Sequence, residues 1–439
     1  MNMNVKPEDL TAAVDSTDGT ARVNTIAFHI SVFLAAFLVV FSRRPDAILN
    51  AQFWAEDGKF WYADAYHFGL HSLLMAEAGY LHTLPRIVAL FTLLFPLAVA
   101  PLVMNLCAIV MQILPVNLFL SSRFSSISMG TRLLGSLLYL VLPNSFEIHA
   151  NSTNIQWHLA LVGCLVLLAA RNEERTWRIL DLAILALVAI DSPLGIPLIP
   201  IAALLWWQRR DVRSKLSLAM LIPGTVFQIV AVLLSHSRRS APNGATLTRL
   251  TSILGGQVFL SSVLGLRTFI QFYFVQHLRY LFVIEAISLI AGLAIILYAF
   301  RYAPTELKLF ILFATLVLGM ALSHPLASME SEYPQWDLMQ IPGIGNRYYF
   351  FPMLALLASV VWMLKSSAFK SRIPRYAAVL FLSLLLVGIY RDFEYRPYTD
   401  LQFQRFAAEF DRTAPGTQFA IPLNPVIQGY DWTMQLTKR

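Results

Sequence analysis

Apolar residues come in long runs along this chain and do not alternate with polar ones. The runs occupy 25–41, 86–120, 133–142, 155–170, 179–190, 196–207, 216–234, 278–300, 307–322, 348–364 and 376–389. A bilayer core takes about 20 residues of helix, and several of these runs approach that length. Backbone in lipid must satisfy its own hydrogen bonds, so a spanning chain is a helix bundle or a closed barrel. Barrel strands would show a period of two. The pattern therefore predicts an all-α fold, a polytopic transmembrane helix bundle. The run 86–120 is broken by Pro96, Pro101 and Pro115. It reads either as one crossing preceded by a partly inserted helix or as two crossings. The count is about 11 spans, within a range of 10–12.

The polar segments divide the chain. Residues 1–24 carry Glu8, Asp9, Asp15 and Asp18, and no small-residue cleavage site follows the first apolar run. They read as a cytoplasmic, disordered tail before a retained first helix, not as a signal peptide. Residues 25–389 form the bundle. Within it, loop 42–84 mixes Trp54, Phe60, Trp61, Tyr62 and Tyr66 with charges, which predicts interfacial helices in this first outer loop. The connection 235–277 is polar at Arg238, Arg239, Pro242, Asn243 and Gly244, and aromatic near 269–274. Residues 390–439 form an extracytoplasmic tail without a span. Its stretch 418–423 reads as a strand, followed by Asn424-Pro425 and Gly429-Tyr430-Asp431-Trp432. That aromatic and prolyl content suggests a tail folded back near the first loop.

Composition agrees with a membrane solvent. Of 439 residues, 57% are hydrophobic and 13% charged, with mean hydropathy +0.60; a soluble domain carries about 25% charged residues. The net charge of +7 marks cytoplasmic loops and calls for no nucleic acid. Basic clusters at Arg171/Arg175/Arg178 (diluted by Glu173 and Glu174), Arg209/Arg210/Arg213/Lys215 and Lys365/Lys370/Arg372/Arg375 are expected inside. The loop 323–346, with Glu330, Glu332 and Asp337, is expected outside, as are loop 144–154, the Asp191 turn and the tail. Arg43 and Arg44 run against this rule. Cys107 and Cys164 lie inside apolar runs, so neither a structural disulfide nor a metal pattern is expected.

Candidate chemistry gathers in the outer segments. Glu56 and Asp57 are adjacent carboxylates in an aromatic setting. They suit a solvated loop equally with a site where one takes a proton from an acceptor hydroxyl and the other positions it or binds a cation. Gly58 would allow a turn with positive φ to aim them. His82 and Arg86 read as an interfacial histidine and a snorkelling arginine, or as phosphate ligands. Arg347, beside Tyr348 at the start of a span, has the same two readings. Glu147, His149, Asn151, Asn154, Gln156, Trp157 and His158 make a short connection rich in hydrogen-bonding groups, of use to a sugar site or simply solvated. No metal-ligand spacing stands out. Asp191 is an intramembrane acid or a helix cap.

The stretch Trp54-Ala55-Glu56-Asp57-Gly58, with Trp61-Tyr62, Ala63, Ala65, Gly69, Gly79-Tyr80-Leu81, Pro85-Arg86, Phe95-Pro96 and 137–143 ending in Pro, resembles the C-type (GT-C) superfamily of glycosyltransferases, in an uncharacterised bacterial branch, over roughly 170 residues at the start of this chain. The resemblance is architectural and its motif short. It implies an integral protein of the bacterial inner membrane that moves a sugar from a polyprenyl-phosphate donor to an acceptor hydroxyl at the outer face. It puts the base or acceptor-orienting acid on Asp57 or Glu56, and makes Arg347 or Arg86 the donor-phosphate ligand. His82, His149, Asn151, Asn154, Trp157 and Tyr348 would meet substrate. The implied partners are a lipid-linked sugar donor, a glycan or lipid acceptor, and membrane lipid. No cofactor is required, although a divalent cation is compatible. A transporter or flippase of lipid-linked sugars is the rival; it would show charged or broken helices near the midplane. A polysaccharide polymerase or ligase would show a larger late outer loop, and a purely structural membrane protein is a further alternative.

Overall fold

The computed structural model describes residues 7–171, 174–234, 242–275, 280–327, 332–365, 371–426 and 432–439, with the side chains of 7–24 and 275 left aside. Glu173, Arg238, Arg239, Glu330, Lys370 and Gly429-Tyr430-Asp431 lie outside the described residues. The chain is mostly helical. Among the described residues, eight helices are long and apolar enough to cross a membrane.

The first helix, α1 (Pro7–Arg43), begins well before the apolar run. Residues 7–24 therefore continue the helix, where the sequence suggested a disordered tail. The chain stops being helical after α2 (Thr83–Thr92) and resumes through α3 (Ala100–Leu120). Pro96, at φ −58° and ψ 148°, makes the break, because a proline biases the residue before it away from helix. Pro101 sits in the first turn of α3, where its missing N–H costs nothing. Then follow α4 (Met129–Leu140), α5 (Ile155–Leu168), α6 (Arg175–Asp191), α7 (Leu198–Arg209) and α8 (Val212–Leu234). The later helices are α9 (Leu281–Tyr302), α10 (Thr305–Ser323), α11 (Phe350–Lys365) and α12 (Ile373–Asp392).

Burial sorts these helices. Two thirds of the α11 region, Asn346–Lys365, is buried inside the protein, against 11% for α1 and α9 and 17% for α12. The apolar surface of the last three, including Leu38, Ile290 and Leu386, is left exposed among the described residues and suits lipid. The helix Leu247–Leu264 is long and apolar enough to span. Yet Arg249 near its start pairs with Asp337, while Leu266 and Arg267 just past its end donate to the Asp392 carboxylate at the end of α12. Asp337 and Asp392 belong to the same end of the bundle, since Asn144 N–H also reaches Asp392 and Asn144 accepts from Asn346. This helix starts and finishes at one end.

That end, the loop end, also explains Arg43 and Arg44. Arg43 is 1% exposed and donates to the carbonyls of Leu140, Leu142, Asp392 and Phe393, at 2.7–3.2 Å. It lies over the Tyr395 ring. Helix C-termini present unsatisfied carbonyls and a partial negative charge, and one guanidinium gathers those of α4 and α12 beside the end of α1. Arg44 donates to Tyr398 Oη at 2.7 Å. These arginines tie helix ends together, so they obey packing and not the loop-charge rule.

The tail returns to the first loop. After α13 (Phe403–Arg412), β1 (Gln418–Pro422) pairs antiparallel with β2 (Thr433–Thr437), with Phe419 opposite Leu436 and Ile421 opposite Met434. Inward Ile421, Met434 and Leu436 are all at most 1% exposed.

Candidate functional site

The acidic pair sits in a short irregular entry to a π-helical turn, Asp57–Tyr62. Ala55 adopts φ +41°, a left-handed conformation that costs an L-residue energy. Its N–H donates to the Asn424 carbonyl of the tail, and Trp54 bridges Asn424. The tail thus holds the strained residue that immediately precedes Glu56. Gly58 is not the positive-φ residue expected of it. It is needed for close approach: a Cβ there would meet Leu423 Cδ2 at 2.8 Å and Phe53 Cβ at 3.1 Å.

The two carboxylates differ in their surroundings. Asp57 is fully buried, and its carboxylate accepts from Thr153 N at 2.6 Å, Thr153 Oγ1 at 2.7 Å and Ser152 N at 3.1 Å. Trp61 Nε1 donates to the same Thr153 hydroxyl at 3.1 Å. Asp57 therefore clamps the first loop to loop 144–154. Burial pushes its carboxyl up to about 7 against the pull of these donors. Glu56 is half-buried, and among the described residues its carboxylate makes no ion pair. Burial raises its pKa, a hydrogen bond from its own backbone N–H and the charge of Arg347 lower it, and Glu147 and Glu77 raise it. A carboxylate kept from water, near other acids and one cation, holds a proton more readily than an ordinary glutamate.

Arg347 pairs with Glu147, which also accepts from the Arg347 backbone N–H at 3.0 Å. Its guanidinium lies 4.7 Å from the Tyr348 ring centroid and donates to Leu326 O at 2.8 Å. Trp157 packs edge-on to Tyr348, with centroids 6.0 Å apart, and its buried Nε1 has no partner among the described residues. Tyr80 is held beside Gln156 and lies in the field of Arg347, Tyr348 and Glu56, and burial raises its hydroxyl to about 12. Glu56, Glu147, Arg347, Tyr348, Trp157, Tyr80 and Glu77 thus share one neighbourhood at the loop end.

The remaining sequence candidates serve the frame. Arg86 is 1% exposed, pairs with Asp64 at 2.8 Å and lies 4.9 Å from the Trp61 ring. His82 stacks between Trp61 at 4.5 Å and Tyr80 at 4.2 Å. Burial and Arg86 push it down to about 3, so it is neutral. His149 is 1% exposed and bonded through both ring nitrogens, Nε2 to Val40 O at 3.0 Å and Nδ1 to Gln112 Nε2 at 3.1 Å. Burial, Arg43 and Arg44 hold it well below its usual range. Asn151 and Asn154 bond each other and the Glu147 carbonyl, which fixes where Glu147 stands. His158 bridges Tyr139 and Ile148 O. Asp191 accepts from Leu84 N at 2.6 Å and so caps α2. Sequence reasoning did not select Glu77, Tyr80 or Thr153 as site residues, and Glu147 was one of many polar groups in its loop. The pairing of Glu147 with Arg347, 200 positions apart, leaves no local signal.

Among the described residues no group of three or more His, Cys, Asp or Glu side chains is arranged to hold a metal ion. No family model matches the chain, and no curated protein matches it.

Proposed function

We propose that this chain is an integral-membrane glycosyltransferase of the C type, in a bacterial inner membrane, and that Glu56 rather than Asp57 is its base. The observation that carries the reading is the contrast within the acidic pair: Asp57 is consumed by three donors from loop 144–154, while the raised Glu56 carboxylate is bonded only to its own backbone N–H among the described residues and lies in the field of Arg347. A base that works near neutral pH needs such a raised pKa and a free lone pair.

In this reading the acceptor hydroxyl attacks the anomeric carbon of the donor sugar. The new C–O bond forms as the bond to the phosphate oxygen breaks. The electron pair leaves on the polyprenyl phosphate, and the hydroxyl proton goes to Glu56. Arg347 attracts the leaving phosphate, and the flat ring of Tyr348 offers the sugar an apolar face. Arg86 takes no part beyond packing beneath Trp61.

The chain crosses the membrane eleven times. Seven crossings are long helices: α1, α3 and α8 to α12 without α2. The helix Leu247–Leu264 lies along the outer side without crossing, and α4 to α7 make the four shorter crossings. Exposed Leu70, Leu74, Phe91 and Leu94 dip into the outer interface, as expected of amphipathic segments lying in its plane.

The test is donor consumption. Membranes containing the protein are given polyprenyl-phosphate hexoses carrying a labelled sugar. Wild type transfers or releases label from at least one donor, and Glu56→Gln lowers the rate by about 10²–10⁴-fold with unchanged amounts of folded protein. Equal rates for wild type and Glu56→Gln would overturn the assignment.

A further inference from the structure

Two cavities open at the other end of the bundle, far from the acidic pair in the fold. One, of about 420 Å³, is lined by six arginines and a single aspartate: Arg123, Arg171, Arg175, Arg178, Arg209 and Arg213 face Asp181. The other, of about 750 Å³, runs between α3, α4, α5, α10 and α11. Its walls are apolar, with Phe119, Leu165, Leu357 and Trp362 among them, and Lys365 stands at its rim. The cavities adjoin, sharing Arg123, Ala169 and Arg209. Both volumes fall in the range of small-molecule sites, about 300–1,000 Å³.

The loop-charge rule accounts for arginines at this end. It does not account for six of them converging on one concavity. Two are neutralised: Arg123 holds Asp181 through two bonds of 2.8 Å, and Arg171 pairs with Asp211. Arg175, Arg178 and Arg209 are exposed; Glu306 in the adjoining lining and Asp211 lie near Arg209, so six arginines gather about three described acids, Asp181, Asp211 and Glu306. Like charges held together at this density call for an anion, and phosphate oxygens match guanidinium forks. An apolar cavity joined to a cationic one has the polarity sequence of a lipid. We propose that these joined cavities bind an anionic phospholipid of the leaflet at this end. Its phosphate headgroup sits among Arg175, Arg178 and Arg209, and an acyl chain lies between α4 and α11. A headgroup with two phosphates, of the cardiolipin type, uses the cluster best, in keeping with basic pockets between membrane helices. The site is independent of the sugar chemistry at the loop end.

The experiment uses the full chain in detergent, stripped of lipid and titrated with cardiolipin, phosphatidylglycerol or phosphatidylcholine, with bound lipid counted by native mass spectrometry. Cardiolipin is expected to bind at least tenfold more tightly than phosphatidylcholine. Arg175→Gln/Arg178→Gln/Arg209→Gln, three exposed positions whose change leaves the fold intact, is expected to abolish that preference. Ala358→Trp, which fills the apolar cavity, is expected to weaken cardiolipin binding while leaving inorganic pyrophosphate binding alone. Arg405→Gln at the loop end serves as the control and changes nothing. Equal binding of all three lipids, or an unchanged preference in the triple variant, overturns the proposal. So does Ala358→Trp binding cardiolipin like wild type, which would show an anion site without a lipid chain.

Discussion

Replacing Asp57 by Asn tests whether this carboxylate is a clamp. Its Oδ1 takes two donors from Thr153 and its Oδ2 takes Ser152 N–H at 3.1 Å. An Asn oxygen can keep the Thr153 pair, but its NH₂ then faces the Ser152 N–H, donor against donor. A buried N–H left unsatisfied costs about 1–3 kcal/mol. That cost applies where the wild-type carboxyl is neutral. Ionisation adds a second effect. The folded pKa is raised from an ordinary 3.8 to about 7, so between those values the folded state holds a proton the unfolded state has lost, and stability falls as pH rises through this window. Complete ionisation corresponds to about 4 kcal/mol. Asn cannot ionise and lacks that slope. The expected result is therefore a crossover: Asp57→Asn is less stable than wild type near pH 4.5, and the gap closes or reverses by pH 8. Thermal unfolding in one detergent across this range measures it, and the difference between the two proteins cancels other titrating groups to the extent that they are independent. A gap that widens with pH would show an ionised carboxylate stabilised by its donors, and would refute the reasoning.

Three other outcomes are expected. Gly58→Ala places a methyl against Leu423 and Phe53, so it should loosen the tail from the first loop, speed proteolysis between 395 and 439, and lower transfer several-fold; a cleavage rate equal to wild type would contradict this. The rate of transfer should rise with pH through the raised pKa of Glu56, because the base acts deprotonated, and Glu77→Gln should move that limb to lower pH by removing a charge that raises Glu56. A limb unmoved by Glu77→Gln would separate the two groups. Cysteines placed at exposed Ala408 in the tail and at exposed Lys215 should be labelled by an impermeant reagent from opposite sides of the membrane, and labelling of both from one side would refute eleven crossings.

The helical bundle was legible in the apolar runs, because hydrocarbon leaves the backbone few choices. The break near Pro96 was legible for the same kind of local reason. Arg43 and Arg44 were not legible: their partners are carbonyls at the ends of α4 and α12, and nothing in the sequence nearby announces them. The position of Leu247–Leu264 along the loop end was hidden because length and apolarity describe a helix but not where its ends are tied. The strand read over 418–423 corresponds to β1. In the candidate site, adjacency made Glu56 and Asp57 conspicuous, yet could not distinguish them. The distinction depends on Ser152 and Thr153, some 95 positions away, which a single sequence does not connect to Asp57. Gly58 attracted attention for the wrong physical reason: it is a point of contact for Leu423, while Ala55 carries the strained backbone.

The central claim is that Glu56 does the chemistry and Asp57 holds the loops. The most direct measurement compares donor consumption and unfolding temperature in the same preparations of wild type and Glu56→Gln. The account expects transfer to fall by about 10²–10⁴-fold, with the unfolding temperature nearly unchanged, because the Glu56 carboxylate makes no ion pair among the described residues and its hydrogen bond is to its own backbone N–H, which a Gln side-chain oxygen can still accept. Retained transfer, or a loss of transfer matched by a loss of fold, would contradict it.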